Sequence, residues 1–460
     1  MRPTQWRRST HVVIGVAVLL LVAAVVAVAA MLTTGNSTSG AQFVKPAPAA
    51  ATAKPGIVPV AGSATKPTPD RLAATLAPLV ADPNLGALTG RITDAITGAQ
   101  LWARGAEVPM QPASTNKVLT TAAALLALDR DARLTTRAMA GGQPGVVVLK
   151  GGGDPTLSAA PAGQDTWYKG AARISDLADQ VRRSGIAVTT VQVDISAYSG
   201  PTMAPGWDPA DIDGGDIAPI EAVMLDGGRT QPVSVDSTRS TTPALDAGRA
   251  LAVALKVDPA AVRVLSSGTP SGHEIASVQS PPLIERLRQL MNESDNVMAE
   301  SIGREVAAEQ NRPQSFDGAV QAVLGQLDKV KIDTGNALLV DSSGLSVDDR
   351  LTAEALDGVV NAAAGSDQPR LRPLLDLLPI AGGSGTLSDR YLDTEAGRAA
   401  AGYLRAKTGS LTGTNALAGI VTDASGRVLT FAFISNNAGP TGRTALDALA
   451  AVLRSCGCST

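Results

Sequence analysis

Strand-like runs stand near both ends of the folded part of this chain, and that placement restricts the architectures open to it. Residues 70–80 carry apolar side chains at helical spacing behind Asp70, a capping residue. Two strand-like runs, 87–93 and 100–104, follow and are joined by a turn through Thr97-Gly98. Near the other end, 402–406, 416–421 and 428–435 are β-like runs between Gly-, Thr- and Asp-rich turns, and 444–453 reads as a closing helix. Strands and flanking helices from both ends predict one antiparallel sheet built from distant segments, an α+β arrangement with the middle of the chain inserted.

The middle has a different texture. Between 137 and 268 it is strand-like and turn-rich, with runs at 145–149 and 188–195 and the cluster Gly151-Gly152-Gly153-Asp154-Pro155. Helical patterns stand out only at 174–183 and 244–254. The reading is a β-rich inserted domain over 137–268, a main domain formed by 70–136 and 269–455, and a short tail, 456–460.

What precedes residue 70 holds no core. Arg2, Arg7 and Arg8 stand before an uncharged apolar run, 12–32. As a helix that run would span about 30 Å, the thickness of a bilayer core. Ala27-Val28-Ala29 also offers a small-residue cleavage site, so a retained anchor and a removed signal are both open. Either way the positive flank lies inside and the rest of the chain is extracytoplasmic. Residues 33–69 hold Pro46, Pro48, Pro55, Pro59, Pro67 and Pro69 among Ala, Thr and Ser, and read as a linker.

Composition removes several kinds of chemistry. A net charge of −3 and 3% aromatic residues argue against a nucleic-acid partner, which calls for a basic field and stacking rings. The two histidines are His11, ahead of the apolar run, and His273, so a His-rich metal site is excluded and a Ser-His-Asp triad could rest only on His273. The two cysteines, Cys456 and Cys458, lie in the tail, too close together for an unstrained disulfide and without the spacing of a redox or zinc motif.

Three short motifs offer chemistry that needs no histidine. In Pro112-Ala113-Ser114-Thr115-Asn116-Lys117, apolar residues follow at Val118, Leu119, Ala122, Leu125 and Leu126, one face of a helix. Ser114 falls at the helix start and Lys117 one turn later on the same side. A hydroxyl is a weak nucleophile until a base takes its proton, and a desolvated lysine can be that base. The Ser-x-x-Lys pattern occurs again at Ser63 to Lys66, but Pro67 follows and no helical face exists there.

The second motif, Ser294-Asp295-Asn296, interrupts a helical pattern and reads as a break between helices. Its hydroxyl could relay a proton and its amide could hold the lysine; a plain helix cap is the alternative. The third, Lys407-Thr408-Gly409-Ser410, follows a β-like run. With ten lysines in the chain, Lys-Thr-Gly is expected only about 0.1 times by chance. On an edge strand, Gly409 would let a substrate backbone approach, and Lys407 and Thr408 would offer a cation and a hydroxyl to a carboxylate; a simple turn is the alternative.

In this order the three motifs make the sequence resemble the low-molecular-mass penicillin-binding proteins, within them the D-alanyl-D-alanine carboxypeptidase/endopeptidase group with a large insertion after the nucleophile helix. The resemblance runs from about Asp70 to Leu453 and includes Gly151 to Pro155, Asp341-Ser342-Ser343-Gly344-Leu345, and Leu378 to Gly382 with Gly385-Thr386-Leu387. It implies a penicillin-binding/serine β-lactamase-like catalytic domain. It also implies that Ser114 attacks the penultimate D-Ala carbonyl, Lys117 takes its proton, and Ser294 helps pass a proton to the leaving D-Ala. Asn296 would position Lys117 and the substrate amide, Lys407 and Thr408 would bind the terminal carboxylate, and the N–H groups of Ser114 and Ser410 would form the oxyanion hole. Peptidoglycan stem peptides are the implied substrate and β-lactam antibiotics the implied covalent inhibitors, with no metal or organic cofactor. A secreted serine β-lactamase shares the motifs, but the 180 positions from Ser114 to Ser294 exceed what such compact enzymes need. A catalytically inactive wall-binding or penicillin-sensing protein is the remaining alternative; intact motifs speak against it.

Overall fold

The computed structural model describes residues 64–265 and 272–455. The apolar run, most of the linker, the second Ser-x-x-Lys pattern's Ser63 and the cysteine tail lie outside the described residues. Helices of ten or more residues are numbered here α1 to α9.

The two ends of the chain meet in one sheet. Its order is β2 (Gln100–Arg104), β1 (Ala87–Asp94), β10 (Val428–Asn436), β9 (Thr414–Thr422) and β8 (Leu404–Leu411). Every neighbouring pair is antiparallel. β1 and β10, more than 300 residues apart in sequence, pair from Ala87 opposite Asn436 to Asp94 opposite Leu429. β8 runs five residues beyond the sequence reading, because its ladder with β9 continues from Leu404 opposite Val421 to Leu411 opposite Thr414. Lys407 to Ser410 is therefore strand, on the sheet's edge.

Side-chain alternation along β10 explains the layers. Phe431 and Phe433 point to one face, where they stack at 5.3 Å and meet Leu72 and Leu76 of α1 (Pro69–Val80) and Leu446, Leu449 and Leu453 of α9 (Gly442–Ser455). Ala432 and Ile434 point to the other face, into a larger core formed with α2 (Lys117–Ala127). α5 (Leu283–Glu293), α6 (Asn296–Glu309), α7 (Phe316–Asp328) and α8 (Ala353–Ala364) complete that core. Burying one such Leu or Phe stabilises the fold by about 1.5–3 kcal/mol.

A second sheet, of mixed direction, uses β6 (Arg263–Leu265), β5 (Thr190–Asp194), β4 (Val146–Lys150), β3 (Thr135–Ala140) and β7 (Glu274–Gln279), in that order. β3 is antiparallel to β4 and β7, whereas β4, β5 and β6 run parallel. Parallel neighbours need crossovers, and α3 (Ile174–Arg183) and α4 (Pro243–Leu255) lie between those strands in sequence, burying Leu177, Val181 and Leu251 against Val147, Val191 and Val193. A separate apolar cluster joins Trp207, Ile217 and Ile220 to Val297, Phe316 and Leu345. It packs the loops after β5 against the start of α6.

Candidate active site

Ser114 lies on a single 3-10 turn, Ala113–Asn116, that leads directly into α2. The turn is tight: Thr115 Oγ1 donates to the Pro112 carbonyl at 2.6 Å, and Ala113 holds φ +48, a region that favours glycine. Such strain persists where surrounding structure enforces it, commonly at functional sites. The three-residue spacing brings Lys117 Nζ to 2.9 Å from Ser114 Oγ, as the helical reading required. Lys117 is fully buried while Ser114 is partly exposed. The same Nζ donates to Asn296 Oδ1 at 2.6 Å and to the Ser343 carbonyl at 2.7 Å, so all three of its donors are engaged. Burial pushes its pKa down to about 8, against the charges of Asp341, Asp295, Glu300 and Asp349, which pull it up.

The break between helices occurs where the sequence placed it. α5 ends at Glu293, Ser294 turns with φ +57, and Asp295 caps α6 by accepting from Met298 N–H at 2.9 Å. The capping alternative thus holds for Asp295, while its neighbours face the lysines. Ser294 Oγ accepts from Lys407 Nζ at 2.9 Å. Asn296 Nδ2 donates to the Asp216 carbonyl at 3.0 Å, leaving Oδ1 for Lys117. Asp295 Oδ2 accepts from Tyr168 OH at 2.7 Å. Burial raises the Asp295 pKa, but Arg239, the Met298 N–H, Tyr168 and Arg229 outweigh it and hold the carboxyl below its ordinary value.

From β8 comes the second buried lysine. Lys407 Nζ also donates to the Thr408 carbonyl at 2.9 Å. Burial first, then the Lys117 and Arg390 charges, push Lys407 well below the ordinary lysine value. Thr408 Oγ1 lies 2.8 Å from Thr386 Oγ1, and Ser410 is exposed. Gly409 has a reason inside the protein for lacking a side chain: an added Cβ would stand 2.7 Å from the Pro112 carbonyl oxygen and 3.1 Å from both Ala113 Cβ and Thr115 N. It lets β8 touch the turn that carries Ser114.

Above these groups opens a cleft of about 730 Å3 whose walls include Ser114, Ser294, Asn296, Thr408 and Ser410. All eight residues singled out from sequence thus belong to one neighbourhood. His273 is exposed beside β7 and does not line the cleft. Among the described residues no three His, Cys, Asp or Glu side chains stand together as a metal site.

One contributor escaped the sequence reading. Asp341 to Leu345 enters the resemblance by sequence with no role attached to it. In the structure Asp341 Oδ1 accepts from the N–H groups of Ser343 (3.0 Å) and Gly344 (2.6 Å), and Oδ2 from Ser346 N–H and Trp207 Nε1 (both 2.8 Å). This folds the loop so that the Ser343 carbonyl reaches Lys117. A backbone acceptor leaves no side-chain pattern to read.

Comparison with known proteins bears on the fold and the family. The fold matches the crystal structure of penicillin binding protein 4 (dacB) from Haemophilus influenzae with a TM-score of 0.67 and 24% identity, covering 84% of this chain and 98% of that one. "Carboxypeptidase DacB" of Mycolicibacterium smegmatis is 75% identical over 459 residues, and "Carboxypeptidase Rv3627c" of Mycobacterium tuberculosis 65% identical over 463; both alignments span 100% of each chain. The Carboxypeptidase Rv3627c-like N-terminal domain family matches residues 1–59, outside the described part. The D-Ala-D-Ala carboxypeptidase 3 (S13) family matches residues 72–239 and 230–455, together nearly the whole described structure, and to that family of hydrolases the chain belongs.

Proposed function

We propose that this D-Ala-D-Ala carboxypeptidase acts through an acyl-enzyme on Ser114, with peptidoglycan stem peptides as substrate. The observation that carries the reading is the fully buried Lys117 Nζ at 2.9 Å from Ser114 Oγ. Held near a pKa of about 8 by desolvation, Lys117 has a neutral fraction at neutral pH large enough to act as a base. Neutral Lys117 takes the Ser114 hydroxyl proton as Oγ attacks the carbonyl of the penultimate D-Ala. The C–N bond to the terminal D-Ala then breaks, and the proton passes from Lys117 to the leaving amine with Ser294 as relay. Asn296 orients Lys117 through Oδ1. Lys407 and Thr408 bind the terminal carboxylate, and the N–H groups of Ser114 and Ser410 stabilise the oxyanion. Water, activated by the same base, cleaves the ester and restores Ser114.

A β-lactam presents a strained amide to the same nucleophile. A structure of the Haemophilus influenzae protein contains one, and we extend that susceptibility to this chain. Its substrate in the cell wall puts this enzyme outside the cytoplasm. The apolar run at 12–32 would tether or export it, and 137–268, whose sheet is completed by β7 from beyond that bound, would form the inserted domain between the catalytic parts 70–136 and 269–455.

The test is incubation with a D-Ala-D-Ala pentapeptide and an acceptor amine, followed by mass spectrometry. Release of D-Ala with water as main acceptor supports the proposal. Dominant formation of cross-linked product overturns it. A D-Ala-linked dimer in a parallel reaction reads endopeptidase activity.

A further inference from the structure

α6 carries a second buried group one turn beyond Asn296. Glu300 follows by four residues, which puts both on one helix face. Glu300 is fully buried against Arg304, itself 1% exposed. Arg304 Nη1 also donates to the Glu300 carbonyl at 3.0 Å, and its guanidinium lies 4.2 and 5.2 Å from the ring centres of Phe316 and Tyr198. One carboxylate oxygen is turned away from the arginine: Glu300 Oε1 accepts from Ser342 N–H at 2.9 Å.

That N–H belongs to the loop that reaches Lys117. Three successive carbonyls of the loop, those of Asp341, Ser342 and Ser343, accept from Asn116 Nδ2 (3.2 Å), Thr120 Oγ1 (2.7 Å) and Lys117 Nζ (2.7 Å). All three donors come from the turn and helix that bear Ser114. The peptide between Asp341 and Ser342 is therefore held at both ends, its carbonyl by Asn116 and its N–H by Glu300. Gly303 allows the approach, since a Cβ there would stand 2.2 Å from Ser342 Oγ. Burying an ion pair gives little net stability after desolvation, whereas a charged acceptor makes a strong, directional hydrogen bond. Orientation is the better explanation for a carboxylate at this place.

We infer that Glu300 is a positioning residue for the Ser114–Lys117 pair: it clamps the Asp341–Ser342 peptide and so fixes where the Ser343 carbonyl meets Lys117 Nζ. This rests on the roles proposed above for Ser114 and Lys117. The charge of Glu300 acts on Lys117 as well. The acidic groups facing Lys117 are Asp341, Asp295, Glu300, Asp349 and Asp216, and Lys407 is its cationic neighbour. Facing Glu300 are Asp341, Asp349, Arg304 and Lys117; burial, then Asp341, raise Glu300 to about 7, below the value of about 8 for Lys117.

The experiment measures the second-order rate of acylation by a fluorescent penicillin from acid to alkaline pH, on the full chain and on Glu300→Gln and Glu300→Ala, with thermal melts alongside. Glu300→Gln keeps an acceptor for Ser342 N–H. It should hold the alkaline plateau within about threefold and lower the midpoint of the acid limb by roughly 0.5 unit, because one negative charge near Lys117 is gone. Glu300→Ala also loses the clamp and should lower the plateau about tenfold or more. Should Glu300→Ala fail to fold, Glu300→Asp, which keeps the charge but draws the acceptor back from Ser342 N–H, should lower the plateau instead. A wild-type plateau in the folded variant that lacks the acceptor overturns the inference and leaves the roles of Ser114 and Lys117 standing. Labelling that persists in Ser114→Ala overturns those roles instead.

Discussion

Lys407 Nζ donates to Ser294 Oγ at 2.9 Å, the same separation at which Lys117 Nζ meets Ser114 Oγ. Two lysine–serine pairs thus stand side by side, both lysines withdrawn from water. Each cation makes the other less favourable, which is one reason Lys407 is pushed well below the ordinary lysine value. A carboxylate arriving beside Thr408 would favour the charged form of Lys407, so on the proposed roles binding energy and the protonation of Lys407 are coupled.

The nucleophile is the first matter to test. Ser114 is the partly exposed member of its pair, and its turn is held by Pro112, Gly409 and the Asp341 loop. Ser114→Ala should abolish covalent penicillin labelling, read by intact mass, while the melting temperature stays within a few degrees of wild type. Ser63→Ala should label as wild type does, because Lys66 and Pro67 stand ahead of α1, which starts only at Pro69. Labelling of the Ser114 variant would show that another residue is acylated.

Much of this site was legible because its chemistry depends on short spacings. The Ser114-to-Lys117 interval on a helix brings the two side chains together whatever the rest of the chain does, and the Ser294 break and the Lys407 strand each announce themselves locally. The meeting of β1 with β10 followed from strands at both ends needing partners. What stayed hidden depends on long-range backbone contacts. Gly409 read as an opening for substrate, yet it lies against Pro112 and Ala113, nearly 300 residues away in sequence. The third partner of Lys117 is a carbonyl, and Glu300 reaches that loop through a peptide N–H. Atoms that every residue possesses carry no sequence signal. The second sheet's pairing of β3 with β7 was hidden for a similar reason, since β7 follows a long excursion of the chain.

The depressed lysine fixes a pH dependence. On the role proposed for it, Lys117 must be neutral for acylation, so the rate should rise with pH through a midpoint near 8. Stability should move in the same direction. Below that value the folded and unfolded chains both hold the proton, and the folded state bears the full cost of a buried ammonium. From about 8 to 10.5 the folded chain releases the proton first, and unfolding free energy rises. A shift of this size corresponds to roughly 3 kcal/mol over the window. Denaturant titrations of wild type and Lys117→Met at several pH values read the contribution of Lys117 together with its effect on Lys407 and Asp216. The difference between the two curves should grow in favour of wild type above pH 8. A constant difference would show that Lys117 keeps an ordinary pKa.

Gly409 offers a test of how closely the cleft is assembled. β8 is an edge strand whose outer side is bonded only at Leu404 to Ala406, by Pro379 to Ala381, so its Lys407–Leu411 end can give way without disrupting the sheet. A methyl group at 409 would meet the Pro112 carbonyl oxygen at 2.7 Å and Ala113 Cβ and Thr115 N at 3.1 Å, contacts that backbone atoms cannot escape by rotating. Relief must come from moving β8 away from the Ser114 turn, which also displaces Lys407 from Ser294 and Thr408 from the cleft. Gly409→Ala should therefore lower the acylation rate about 100-fold, the order expected for misplacement by an ångström. Its cost in stability should stay near 1–3 kcal/mol, roughly that of an overpacked contact. A D-Ala-D-Ala substrate should show the loss mainly in kcat/KM, because both carboxylate binding and attack by Ser114 depend on that contact. If Gly409→Ala acylates at the wild-type rate, β8 and the Ser114 turn are not rigidly coupled, and the place of Gly409 in the motif needs another explanation.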